Sequence, residues 1–193
     1  MPRYKEYNRE AVLDSATKVF WEKGYVGSAM SDLVNATALN KHSMYKEFGS
    51  KEGLFLACIE NFSNKTNRKA AEIIHRRPLG LQNIIDFFQN RIEGASSKMW
   101  KGCLIMNSVV EQEVLSEQVN EQVQCHMSQQ EGLFRDCLMA AQRAGEIPAS
   151  KDTVVLAQYL LCFLEGLNVM GKCNPTKESL ELLFEQVLTV ITH

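Results

Sequence analysis

Five consecutive-turn side chains in residues 40–46 (NKHSMYK) can donate hydrogen bonds or carry positive charge: Lys41, His42, Ser43, Tyr45 and Lys46. A short helix capped by Asn40 would turn Met44 and Phe48 inward and leave those five outside. Such a face suits a polyanion whose edges carry acceptors. Lys41 and His42, in the first turn, are placed to donate to base edges such as guanine O6 or N7. Ser43, Tyr45 and Lys46 are placed to donate to phosphate oxygens. No competing reactive set is present. The histidines, at 42, 75, 126 and 193, are scattered, and there is no paired-carboxylate set, Ser/His/Asp set, phosphate loop or HExxH run. A helical enzyme or a structural adaptor is therefore a remote alternative. The six cysteines (58, 103, 125, 137, 162, 173) form no CxxC pair, so no metal site and no cofactor is expected.

A seven-residue helix is too short to persist alone, so flanking elements must brace it. Residues 9–23 carry Val12, Ala16, Val19 and Phe20 on one face, with Asn8 as cap and Gly24 as stop. A second short helix is predicted over 29–36, joined to the third by Ala36-Thr37-Ala38-Leu39, and a longer one opens at Ser50. That is a helix-turn-helix pattern. Beyond Pro78, helical periodicity continues over 81–93, 104–113, 117–144, 152–172 and 176–191, with Asp152 as a cap. The expected architecture is all-α. An N-terminal three-helix helix-turn-helix domain (1–50) precedes a larger C-terminal helical domain (51–193).

The chain has 193 residues, 21 Lys plus Arg against 23 Asp plus Glu, and 45% hydrophobic side chains. A near-neutral total argues against a chain that is basic throughout, yet the charge is uneven. Residues 1–77 hold 13 basic and 9 acidic side chains, and residues 78–193 hold 8 and 14. The longest apolar stretch, 154–169, is interrupted by Gln158 and Glu165, and the N-terminus lacks the apolar core of a secretory signal. No membrane association is expected, and reduced thiols in the cytoplasm follow.

Over residues 9–56 the sequence resembles the DNA-binding domain of the TetR/AcrR family of bacterial regulators. The match lies in Val12-Leu13-Asp14-Ser15-Ala16, Phe20, Gly24-Tyr25, Ser28, Met30, Asp32-Leu33, Ser43-Met44-Tyr45, Phe48 and Ser50-Lys51-Glu52, without an insertion. Ala38 stands where the family usually has Gly, Glu47 replaces a frequent His, and Gly49 a frequent Pro. The resemblance implies that the first domain (1–50) is a DNA-binding domain and the second (51–193) a ligand-binding and dimerisation domain. The resemblance further implies double-stranded DNA as partner, read at a palindromic operator by a homodimer that acts as a repressor. It also adds Ser28 and Lys51 as phosphate clamps at helix N-termini, with Arg3, Lys5 and Arg9 as an arm.

A regulator of this kind needs an effector cavity, for a small apolar or amphipathic molecule. The candidate lining is Phe88, Trp100, Cys103, Met106, Met127, Phe134 and Phe163, with Phe87, Cys137, Leu138 and Asn168 nearby. Cys103 is expected at a helix start, which lowers a thiol's pKa, so a redox- or electrophile-sensing regulator is the alternative. The last two helices are more apolar than one inner face requires. Gln158, Leu161, Glu165, Leu183, Phe184 and Val187 are the candidate dimer contacts, with Phe163 and Val190 beside them.

Overall fold

Asparagine, serine, aspartate and threonine side chains start most of the helices. In the computed structural model, which describes residues 7–193, Asn8 Oδ1 accepts from the Ala11 N–H at 3.1 Å and Asn40 Oδ1 from Ser43 at 2.8 Å. Ser50, Ser116, Asp152 and Thr176 cap in the same way. Each satisfies a first-turn donor that a helix leaves unpaired. The capped elements are α1 (Arg9–Gly27), α3 (Lys41–Phe48), α4 (Lys51–Ile74), α7 (Glu117–Arg143), α8 (Thr153–Met170) and α9 (Lys177–Thr192). Between them lie α2 (Met30–Thr37), α5 (Leu81–Ala95) and α6 (Leu104–Val110). The described residues contain no strand.

Two local departures from the expected boundaries have physical causes. At Gly24 the backbone leaves helical geometry (φ 72°, ψ 176°) and regains one turn as far as Gly27. The helix predicted over 104–113 stops at Val110, and a 3-10 turn covers Gln112–Val114. These breaks face each other, because the Glu111 carboxylate accepts from the Tyr25 and Val26 N–H groups at 2.7 and 3.1 Å. The turn between α2 and α3 passes through Ala38 in the left-handed region (φ 55°, ψ 12°). The α3–α4 corner demands glycine at 53, since a Cβ there would lie 2.0 Å from the Phe48 carbonyl oxygen.

The apolar side chains gather into two clusters. Val12, Leu13, Ala16, Phe20, Leu33, Leu39, Met44, Leu54, Phe55 and Ile59 form the N-terminal core, which Leu104, Ile105, Leu115, Val119 and Val123 complete. The second core holds Ile84, Phe87, Phe88, Phe134, Leu138, Leu160, Leu164, Phe184, Val187 and Ile191. α4 spans both, contributing Leu54 to Ile59 to the first and Ala70 and Ile74 to the second. At about 1.5 Å per residue it is a rod of roughly 36 Å. A boundary at residue 50 would cut the first core from the α4 residues that close it.

By length and composition alone, Thr153–Cys173 is apolar enough to cross a membrane, with a mean hydropathy of 1.6. Leu156, Leu160, Leu164 and Leu167 bury one side of it in the body. The other side is open.

Candidate DNA-binding face and effector cavity

α3 rests on the N-terminal core through Met44, with Leu39 buried just before it. Lys41, His42, Tyr45 and Lys46 are exposed and Ser43 is half-buried, so one small surface carries all five. Tyr45 is 41% exposed, and the Lys41 Nζ lies 5.9 Å from its ring centroid. Glu47 is taken up by Arg9, whose Nε is 3.2 Å from Glu47 Oε1. Burial, then a hydrogen bond to Glu47, pushes the Tyr7 hydroxyl up to about 12. Arg3 and Lys5 of the expected arm lie outside the described residues.

Of the two outer clamps, Ser28 differs from expectation. Ser28 is not a surface donor: it is buried, its hydroxyl donates to the Gly24 carbonyl, and Ala29 occupies the cap position of α2. The Gly24 break turns the chain inward there, which is why the hydroxyl is consumed locally. Lys51 stands in the first turn of α4, but its ammonium lies 4.4 Å from the Tyr25 ring centroid, and burial lowers its pKa.

A cavity of about 440 Å³ lies where α1 meets the body. α1 supplies Asp14, Thr17, Lys18 and Trp21; the body supplies Phe62, Arg91, Trp100, Cys103, His126, Gln130, Glu165 and Asn168, among others. Of the seven expected lining residues, Trp100 and Cys103 are on its wall. Phe88, Phe134 and Phe163 are not, because Phe88 packs against Phe134, Phe163 and Phe184 in the body core, its ring centroid 4.9–5.5 Å from theirs. Met127 packs against the N-terminal core, and Met106 is also off the cavity wall. Apolarity and position in the middle helices did not separate core from cavity. A signal was nonetheless present: Asp14, Thr17, Lys18 and Trp21 recur at helical spacing on the side of α1 away from Ala16 and Phe20.

The wall is held by side-chain bonds. Trp21 Nε1 donates to the Lys101 carbonyl at 3.0 Å, and Trp100 Nε1 to that of Asn168 at 3.2 Å. Asp14 accepts from Lys65 at 2.6 Å and Asn61 at 2.9 Å. His126 Nδ1 is 2.8 Å from Ser63 Oγ, and burial together with the Arg91 charge pushes the imidazole down to about 4. Cys103 corrects the thiolate expectation. It is the cap residue of α6, yet burial and the Glu165 charge push its thiol up to about 11, outweighing the α6 N–H groups.

The expected dimer contacts also divide. Phe184 and Val187 point into the body core and Glu165 into the cavity wall, so those three are withdrawn from the surface. Gln158 and Leu183 are exposed and Leu161 half-buried. The open apolar face instead runs through Val155, Tyr159 and Val169 on α8 and Leu182, Leu183 and Val190 on α9.

Comparison with known proteins agrees with this architecture. Residues 12–58 match the model "Bacterial regulatory proteins, tetR family", and residues 80–187 match "Tetracyclin repressor-like, C-terminal domain". The HTH-type transcriptional repressor ComR of Escherichia coli is 29% identical over 180 residues, covering 92% of this chain and 86% of its own. The repressor DhaR of Mycobacterium sp. is 28% identical, covering 95% and 89%. Among solved structures, the TetR family regulator CifR in complex with 26-bp operator DNA superposes with a TM-score of 0.83 at 25% identity, over 98% of each chain. A regulator from Chloroflexus aurantiacus gives 0.84 at 27% identity, over 96% and 94%. The chain belongs to the TetR family of DNA-binding helix-turn-helix transcriptional repressors.

Proposed function

We propose that the protein is an effector-responsive repressor that binds a palindromic operator as a homodimer in the cytoplasm. Lys41 and His42 read bases, and Ser43, Tyr45, Lys46 and Lys51 hold phosphates. The observation that carries this reading is the shared cavity wall: α1, which braces α3 through the N-terminal core, also supplies four of the cavity's side chains. An effector that fits the cavity in only one placement of α1 shifts the placement of α3 with it. Taking a population from 1:99 to 99:1 requires about 5.5 kcal/mol of differential affinity.

Two copies pairing through the open faces of α8 and α9 would bury Val155 and Leu182, which are 58% and 62% exposed. Gly166 is exposed on α8 with nothing within 4 Å of where a Cβ would be, leaving room for a partner helix to approach. Such a dimer presents two α3 helices to successive major grooves about 34–36 Å apart. The test is fluorescence anisotropy with DNA from upstream of the protein's own coding sequence. Binding should weaken steeply with salt. Lys46→Ala or Tyr45→Phe should weaken binding to all sequences, and His42→Ala should change the preference among them. Salt-independent or absent binding would remove the reading.

A further inference from the structure

The cavity wall contains a guanidinium, that of Arg91, to which no carboxylate of the described residues is directly bonded. Arg91 lies over the Phe87 ring at 5.3 Å, and among the described residues it has no hydrogen-bond acceptor and no carboxylate at ion-pair distance. The wall carboxylates are not bonded to it, and the Glu165 charge reaches it only from beyond ion-pair distance. Asp14 is held by Lys65 and Asn61, and Glu165 Oε2 accepts from Asn168 Nδ2 at 2.9 Å. Lys18 and Lys69 add exposed positive charge to the same wall. A guanidinium facing a cavity without an acceptor is costly to keep dry unless something anionic completes it.

A second group on the wall is also incomplete. Gln130 Nε2 donates to Asn67 Oδ1 at 2.6 Å, while its Oε1 is buried with no partner. Gln130 is one helical turn from His126 on α7, and His126 lies within the electrostatic reach of Arg91. Arg91, His126 and Gln130 all line the one cavity. Around them the chain's two tryptophans, Trp21 and Trp100, have their N–H groups already engaged. What they offer a ligand is ring surface, which Phe62 and Phe87 extend. A volume of about 440 Å³ accommodates one small molecule.

We propose that the effector is a small aromatic carboxylate, its carboxylate paired with Arg91, its ring among Trp21, Phe62 and Trp100, and a hydroxyl or N–H donating to Gln130 Oε1. This deepens the effector-responsive reading above and rests on it.

Both tryptophans line the cavity, so intrinsic fluorescence reports occupancy of the full-length protein. The probes are benzoate, 4-hydroxybenzoate, neutral benzyl alcohol and cationic benzylamine. Saturable quenching is expected from the two carboxylates, tightest for 4-hydroxybenzoate, and at least tenfold weaker from the alcohol and the amine. Arg91→Gln should raise the benzoate Kd at least tenfold, with Arg91→Lys between the two. Equal binding of benzoate and benzyl alcohol by the unmodified protein overturns the proposal, whatever the variants do. Preference for benzylamine overturns it as well, by making Glu165 the anchor. Operator binding, followed by anisotropy on the same samples, separates the two readings. Intact DNA binding without carboxylate quenching sinks the ligand class alone; quenching without operator release keeps the ligand class and sinks the switch.

Discussion

Glu111→Ala removes the tie between the body and the DNA-binding unit most directly. Gly24 leaves the helix, so the N–H groups of Tyr25 and Val26 begin a new turn with no carbonyl behind them. Glu111 reaches across from the end of α6 and accepts both, at 2.7 and 3.1 Å. Hydrogen bonds to a charged acceptor contribute about 1.5–3 kcal/mol each. That gross figure needs discounting, because Tyr25 is half-buried and Val26 is exposed, so water replaces much of what is lost. A net loss of about 1–3 kcal/mol remains. For a chain of this size that is a Tm shift of roughly 2–4 °C per kcal/mol. Denaturant unfolding should show it as a lower midpoint, and amide exchange should quicken at Tyr25 and Val26. Glu111→Gln, which keeps one acceptor oxygen, should recover part of the loss. A Glu111→Ala midpoint within about 0.5 kcal/mol of the parent, with both amides as slow as before, refutes the idea that this carboxylate holds the turn.

Other consequences are equally direct. Ala38→Gly should stabilise the protein by about 0.5–1 kcal/mol, since the left-handed backbone strains alanine by more than the unfolded chain gains from glycine; thermal unfolding checks it. His126 is neutral in both states above its ordinary value of about 6.5, whereas between there and about 4 only the unfolded chain takes up the proton. Stability should therefore fall as the pH drops through that window, by up to roughly 3 kcal/mol, and His126→Gln should flatten the denaturation profile there. Leu183→Glu should shift sedimentation toward the monomer and weaken operator binding, because it places a charge on the open face of α9; an unchanged sedimentation coefficient argues for a different interface.

Local signals in the chain were enough for the helical architecture and for the surface of α3. Asn8, Asn40, Ser50, Asp152 and Thr176 cap helices wherever they stand, because a cap needs only the donors two or three residues ahead of it. Met44 inward and Lys41, His42, Tyr45 and Lys46 outward follow from a 3.6-residue period on a helix with one buried side. Ala38 even declared its strained position by departing from glycine. The resemblance over residues 9–56 likewise rests on local spacing. Where that locality ended, reading failed. Ser28 had a donor's chemistry at a helix start, yet the Gly24 turn buried it.

Tertiary structure decided which apolar side chains fill the core and which line a cavity, because Phe88 and Trp100 look alike until α5, α7, α8 and α9 converge. It also brought Trp21 of α1 and Glu165 of α8, more than a hundred residues later, to one cavity, and left the Arg91 guanidinium with no carboxylate at ion-pair distance and Gln130 Oε1 with no hydrogen bond. No periodicity encodes such a meeting, since each wall residue obeys its own helix. Burial likewise reversed the expected pKa shift at Cys103, where desolvation outweighed the helix N-terminus. The sequence by itself determined the elements and the exposed polar face of α3; the void between distant elements, and the charge left facing it, exist only once those elements are packed.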